Sequence, residues 1–155
     1  LGKNYDENGD FARAGTVNFE ILTLLNTLPF YQSAPPKSLG IEWINEHVLP
    51  LLEGDHAENI LATFTEHAAF QIAEIFNQFK LKNVLFTGGG TYNSYLIERI
   101  KNKTSTAIIV PEKELIDFKE ALIFALMGTL RIKNEINILS SATGSSADHC
   151  SGILI

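Results

Sequence analysis

Apolar residues recur at spacings of three and four along most of this chain and gather into strand-like runs at only two places. Between Phe11 and Leu28, the positions Val17, Ile21, Leu24, Leu25 and Leu28 mark one helical face, preceded by a turn at Asp6, Asn8 and Gly9. Pro29 and then Pro35-Pro36 interrupt the pattern, which predicts an ordered loop over 29–38. Ile41 to Leu52 reads as a short helix carrying Trp43, Ile44, Val48 and Leu51, with Pro50 near its end. The longest periodic stretch runs from Asp55 to about Phe79, and Asp55 with Glu58 forms a capping-box-like start. Leu61, Phe64, Ala68, Ile72, Ile75 and Phe79 mark its apolar stripe, leaving Glu66, His67, Glu74 and Gln78 for the wet side. A last strong helix spans about Asp117 to Ile132. Its segment Ala121–Met127 is apolar all round, which predicts burial. The tail after Ile138 is rich in Ser, Gly and Ala and ends on Gly152-Ile153-Leu154-Ile155.

The two strand-like runs flank the most informative segment. Val84-Leu85-Phe86 stops at Thr87-Gly88-Gly89-Gly90, and a helical pattern with Tyr92, Tyr95, Leu96 and Ile100 on one side follows. The second run is Thr106–Val110. A strand–helix–strand unit of this length is expected to be parallel and right-handed. Two parallel strands alone make a poor core with unpaired edges, so further strands are expected from residues before Leu1 or from a partner chain.

Strand, glycine turn and helix is how a backbone approaches a phosphate or a nucleoside. A tight turn between two elements usually needs only one glycine. A P-loop is excluded, because no Lys-Ser or Lys-Thr pair closes the glycines; the chain runs on into Tyr92-Asn93-Ser94. A Rossmann fingerprint fits in part: Gly88 and Gly90 have the first spacing, and Glu112 follows the second run where a ribose-binding acid would sit. Asn93, however, occupies the place of the third glycine.

Composition narrows the class. The 155 residues fit one domain, and 45% apolar with 19% charged residues indicates a globular chain. The formal net charge of -6, without a basic stripe, argues against nucleic acid as a partner. The single cysteine, Cys150, rules out a disulfide framework and points to a reducing cytoplasm. No apolar stretch is long enough to span a bilayer, so no membrane partner is expected. The chain opens on Leu1-Gly2-Lys3-Asn4, without an initiating Met or a signal peptide, and reads as the middle of something larger.

Six separated strings add a resemblance. They are Tyr5-Asp6-Glu7-Asn8-Gly9 with Ala12 and Gly15; Pro35-Pro36-Lys37-Ser38 with Gly40 and Glu42; Leu61-Ala62-Thr63-Phe64-Thr65-Glu66; Thr87-Gly88-Gly89-Gly90 with Asn93; Asp117 with Glu120-Ala121 and Phe124-Ala125; and Thr143-Gly144. In this order and spacing, over nearly the whole chain, they resemble the C-terminal half of anhydro-N-acetylmuramic acid kinases, members of the sugar-kinase and actin superfamily. The resemblance implies a helix-rich α/β, RNase H-like (actin-like ATPase) C-terminal lobe, with residues 1–155 forming a single lobe of a two-lobed kinase and part of its sheet lying outside the chain. It implies ATP and Mg2+ as cofactors, and an anhydro-amino-sugar that is ring-opened by water and phosphorylated on O6 in peptidoglycan recycling. An N-terminal lobe and a homodimer are the protein partners it suggests. Thr87, Gly88, Gly89, Gly90 and Asn93 become nucleotide-binding candidates, and Glu120 and Lys37 substrate-binding candidates.

There are departures. The family's first phosphate loop and the segment carrying the aspartate expected to activate water are absent, so the catalytic residues are expected upstream of Leu1. Ile41 stands where the family usually has Arg after Gly40. Phosphoryl transfer needs charge stabilisation from both sides of the phosphate, so the chain alone is expected not to catalyse the reaction. Simpler roles stand beside the implied ones: Asp117 and Glu120 form a capping box, Asn93 caps a helix, and Lys37 is a solvated loop lysine. Glu66 is expected on a wet helix face, and His47, His56 and His67 are scattered over helix faces. Asp148-His149-Cys150 are adjacent and cannot converge well on one metal ion. Two other classes remain open: a Rossmann-like dinucleotide or nucleotide-sugar protein, and a non-catalytic interaction module.

Overall fold

The computed structural model describes residues 2–34 and 37–153, so the Pro35-Pro36 break lies outside the described residues, as do Leu154 and Ile155. The chain divides into two compact units, residues 1–110 and 111–155.

In the first unit the helix expected over 11–28 is two helices. Helix α1 spans Asp10–Ala14 and helix α2 spans Phe19–Asn26. The break at Gly15 has a packing cause: a Cβ there would lie 2.1 Å from the Glu58 carbonyl oxygen, so the two backbones touch. Asn18 then restarts the helix, its side chain accepting from the N–H groups of Glu20 and Ile21. The expected loop over 29–38 contains one short helical turn, α3 (Pro29–Gln32), with Pro at its first position. The expected helix over 41–52 is likewise split, into α4 (Ile41–His47) and α5 (Leu49–Leu52), because Pro50 opens a new first turn. Leu25, Val48 and Leu52 form one core cluster, with Ile21, Trp43 and Ile60 packed around it.

Helix α6 (Ala57–Gln78) matches the expected long helix, but not its expected face. Its start differs too: His56 is the cap residue, and Asp55 holds the turn through the His56 N–H and the Asn59 side chain. Its buried positions are Ala62, Thr63, Glu66, His67, Ala69, Ala73 and Phe76. Phe64, Ile75 and Phe79, expected inside, are exposed, and Glu66 and His67, expected wet, are buried. The small residues Ala62, Ala69 and Ala73 admit the neighbouring helices closely, and each buried polar side chain has a partner from another element.

Strands β1 (Asn83–Leu85) and β2 (Ala107–Ile109) pair in parallel, with Val84 opposite Ile108. Val84 and Ile108 face a second cluster built on Ala69, Phe76 and Ile100, whereas Leu85 and Ile109 point to the other face and are exposed. Helix α7 (Ser94–Lys101) crosses between the strands.

The second unit contains helices α8 (Lys113–Ile132) and α9 (Ser140–Thr143) and an antiparallel bridge between Ile138 and His149. The Asn137 side chain ties it together, donating to the carbonyls of Met127 and Ser151 and accepting from the Ser151 N–H. Helix α8 starts four residues earlier than expected. Asp117 therefore sits inside the helix, paired with Lys113 rather than opening a capping box with Glu120. The expected burial of this helix is not observed: Ile116 is buried, while Phe118, Leu122, Ile123, Phe124 and Leu126 are exposed. Periodicity records that a helix is apolar all round, not which surface covers it. Among the described residues, no helix is long and apolar enough to cross a membrane.

Candidate functional site

The glycine turn lies beyond the carboxyl end of β1, the end of a parallel strand at which ligands of α/β folds bind. Gly88 has φ +88° and ψ 173°, a conformation open to glycine alone. Gly89 to Tyr92 then forms a 3₁₀ turn, with the Thr91 N–H donating to the Gly88 carbonyl at 3.0 Å and the Asn93 N–H to the Gly90 carbonyl at 3.1 Å. Tyr92, expected on the following helix, belongs to this turn.

Among the described residues nothing requires glycine at position 89 or 90. Neither has a positive φ, and among the described residues no atom beyond their own chain neighbours lies within 4 Å of where their Cβ atoms would be. The fold would accept side chains at both. Two such glycines in succession leave bare main chain facing open space, the surface that a closely approaching ligand needs. Beside them lies an open depression of about 430 Å³, lined by Thr91, Ser94, Ile97, Glu98, Lys101, Asn102 and Val110.

Asn93 caps α7, its Oδ1 accepting from the Leu96 N–H at 2.9 Å. This is the third-glycine position of a Rossmann fingerprint, and here it holds a capping side chain. Glu112, the ribose-acid candidate, is the residue preceding α8 in the second unit.

An ion cluster that the sequence reading missed anchors α7 from behind. One Glu66 carboxylate oxygen accepts from Arg99 Nε at 2.6 Å; the other accepts from Arg99 Nη2 at 3.1 Å and from Lys103 Nζ. Burial pushes the Glu66 carboxyl up, but the hydrogen bonds and charges of Arg99 and Lys103 outweigh it and hold the group below its usual range. The available signal was Arg99 and Lys103, spaced four apart, with an acid on the long helix. On the same helix, His67 Nδ1 meets Asn26 Oδ1 at 2.7 Å, and burial lowers the imidazole to about 4.

Thr87, Gly88, Gly89, Gly90 and Asn93 thus form one continuous turn. Lys37 lies apart in sequence, after α3; its Nζ donates to the carbonyls of Phe30 and Tyr31 and sits 4.8 Å from the Phe30 ring centre. Ile41 is exposed at the first position of α4. Glu120 is exposed on α8 in the second unit. Asp148 accepts from the Ser140 N–H and Oγ, Cys150 Sγ lies 3.8 Å from Arg131 Nη1, and among the described residues no group of acids, His and Cys is placed to hold a metal ion.

The family model described as "Anhydro-N-acetylmuramic acid kinase" matches residues 1–155. The chain belongs to the anhydro-N-acetylmuramic acid kinase family. Proteins carrying that name from Francisella tularensis subsp. novicida and from Bacillus cereus AH820 are each 33% identical to it, over 95% and 92% of this chain; one from Bacillus cereus G9842 is 35% identical over 92%. The chain spans about two fifths of the length of these relatives, 41–42%. Membership in this kinase family, with Asn93 serving as a helix cap, replaces the Rossmann alternative.

Proposed function

We propose that this chain supplies the nucleotide-binding C-terminal lobe of an ATP-dependent kinase that opens and phosphorylates 1,6-anhydro-N-acetylmuramic acid, giving the 6-phosphate in peptidoglycan recycling. The observation that carries the nucleotide assignment is the pair Gly89 and Gly90, bare of side chains at a strand end where the fold has room for them. In this reading Thr87, Gly88, Gly89, Gly90 and Asn93 border the nucleotide, and Mg2+ enters with its phosphates. Lys37 in the first unit and Glu120 in the second are separate candidates for contact with the sugar.

The parallel strand pair and its crossing helix are the part of an RNase H-like lobe held here. The exposed Leu85 and Ile109 on one sheet face, and Phe64, Ile75 and Phe79 on α6, support a larger apolar assembly in which the remaining part of the protein covers them. The extra length of the relatives supports the same view. A homodimer and a cytoplasmic location belong to this reading as well. Catalysis then requires groups from the other lobe, because transfer depends on positive charge and positioning on both sides of the phosphate.

The test combines calorimetry with a coupled ADP-release assay on the 155-residue chain. The expected result is Mg-ATP binding that weakens in the variant carrying Gly89→Ala and Gly90→Ala, with no ADP release on adding the anhydro-sugar. Absence of ATP binding, or sugar-dependent ADP release by this chain alone, overturns the proposal.

A further inference from the structure

We infer that Gly9, far from the glycine turn in sequence, is a positioning residue for that turn and acts through the Asn93 cap; the functional part of this inference rests on the nucleotide reading above. The segment Asp6–Gly9 is held tightly. The two carboxylate oxygens of Asp6 accept from the N–H groups of Phe11 and Ala12 at 2.9 and 3.0 Å, and the Gly9 N–H donates to the Asp6 carbonyl at 3.2 Å. These bonds set Gly9 at φ +77°, in the left-handed region, and press its α-carbon against the start of α7.

A Cβ on residue 9 would lie 2.3 Å from Asn93 Oδ1 and 2.7 Å from the Cβ of Tyr95. The second atom is fixed to the helix backbone, so the strain falls on the Asn93 carboxamide. That same Oδ1 accepts the Leu96 N–H, and the Asn93 N–H closes the 3₁₀ turn onto Gly90. Ser94 Oγ adds a bond to the Asn8 carbonyl at 3.3 Å. One residue, Asn93, therefore joins three things: its Oδ1 takes the close approach of Gly9 and the cap of α7, and its N–H closes the far end of the glycine turn. A side chain at residue 9 has to push Asn93 off its cap and loosen the anchor of Gly88–Gly90.

The test is a double-mutant cycle on the 155-residue chain with Gly9→Ala, Asn93→Ser and both together. It is read by amide hydrogen exchange at Leu96 and Asn93, by ADP titration, and by Trp43 fluorescence. Serine still caps a helix but is shorter, so it removes the contact with the Asn93 carboxamide while the Tyr95 Cβ contact remains. Gly9→Ala is expected to speed exchange at Leu96 and Asn93 about tenfold and to weaken ADP about tenfold, while Trp43 fluorescence stays native. In the Asn93→Ser background the same change costs markedly less, since residues acting through one contact are not additive. If Gly9→Ala alone unfolds the chain, the inference requires the double variant to fold, and an unfolded double variant overturns it. Unchanged Leu96 exchange, or strictly additive effects, also overturns it. If the unaltered chain binds no ADP, the nucleotide reading falls, whereas the exchange cycle still decides whether Gly9 positions Asn93.

Discussion

Replacing Glu66 with alanine probes the interaction that ties α7, and with it the glycine turn, to α6. The change removes a carboxylate that is 6% exposed and leaves two cations facing an apolar helix pair. Breaking one side of a buried ion pair costs about 3–5 kcal/mol. Here the lower end applies, about 3 kcal/mol, because the Arg99 and Lys103 side chains keep 30% and 23% of their surface and can recover some hydration. With a urea slope of about 2 kcal/mol/M, the midpoint should fall by about 1.5 M. Trp43 is the only tryptophan and lies in the same unit, so its fluorescence reports that unit's unfolding. Glu66→Gln keeps the shape and one accepting oxygen and should lose about half as much. The pH dependence has a defined sign: the folded carboxyl is held below its reference value of 4.5. The stability it contributes is present above that value and is lost as pH falls through the folded one, so the gap between wild type and Glu66→Gln should close in acid. A midpoint shift for Glu66→Ala worth less than about 0.5 kcal/mol would refute the reasoning and place the pair among surface ion pairs of no measurable weight.

Three further outcomes are expected. His67 is lowered from 6.5 to about 4 by burial, so the unfolded chain takes up a proton before the folded one does. Stability should therefore decline by about 3 kcal/mol between pH 6.5 and 4, and urea unfolding of His67→Gln should lack that part of the slope. Gly15→Ala should cost about 1–3 kcal/mol in the same assay, because its Cβ would meet the Glu58 carbonyl at 2.1 Å; no loss would mean that the backbones separate easily. Asn18→Ala should cost about 1 kcal/mol through loss of the α2 cap, and an unchanged midpoint would remove that cap from the account.

The sequence disclosed the strands, their parallel pairing and the glycine turn, because each depends on local chemistry. A short apolar run and a stop at glycine need no distant partner to be recognised. It disclosed the existence of α6 but not its inner face, since Glu66 is drawn inside by Arg99 and Lys103, thirty-three and thirty-seven residues away. Hydrophobic periodicity scores that carboxylate as wet whatever faces it. Gly15 and Gly9 show the same limit: each is required by a backbone or side chain from another element, a contact no local window contains. For the candidate site, three glycines suggested close approach, and the structure separates them by cause. Gly88 is required by its own φ, whereas nothing among the described residues requires Gly89 and Gly90.

The most direct test of the central claim is an amide chemical-shift titration of the 155-residue chain with Mg-ADP. The account predicts the largest shifts at Gly88, Gly89, Gly90 and Asn93, with Leu96 following through its cap and Glu112 unmoved. Saturable binding that leaves the glycine amides unmoved, or no binding, would contradict it.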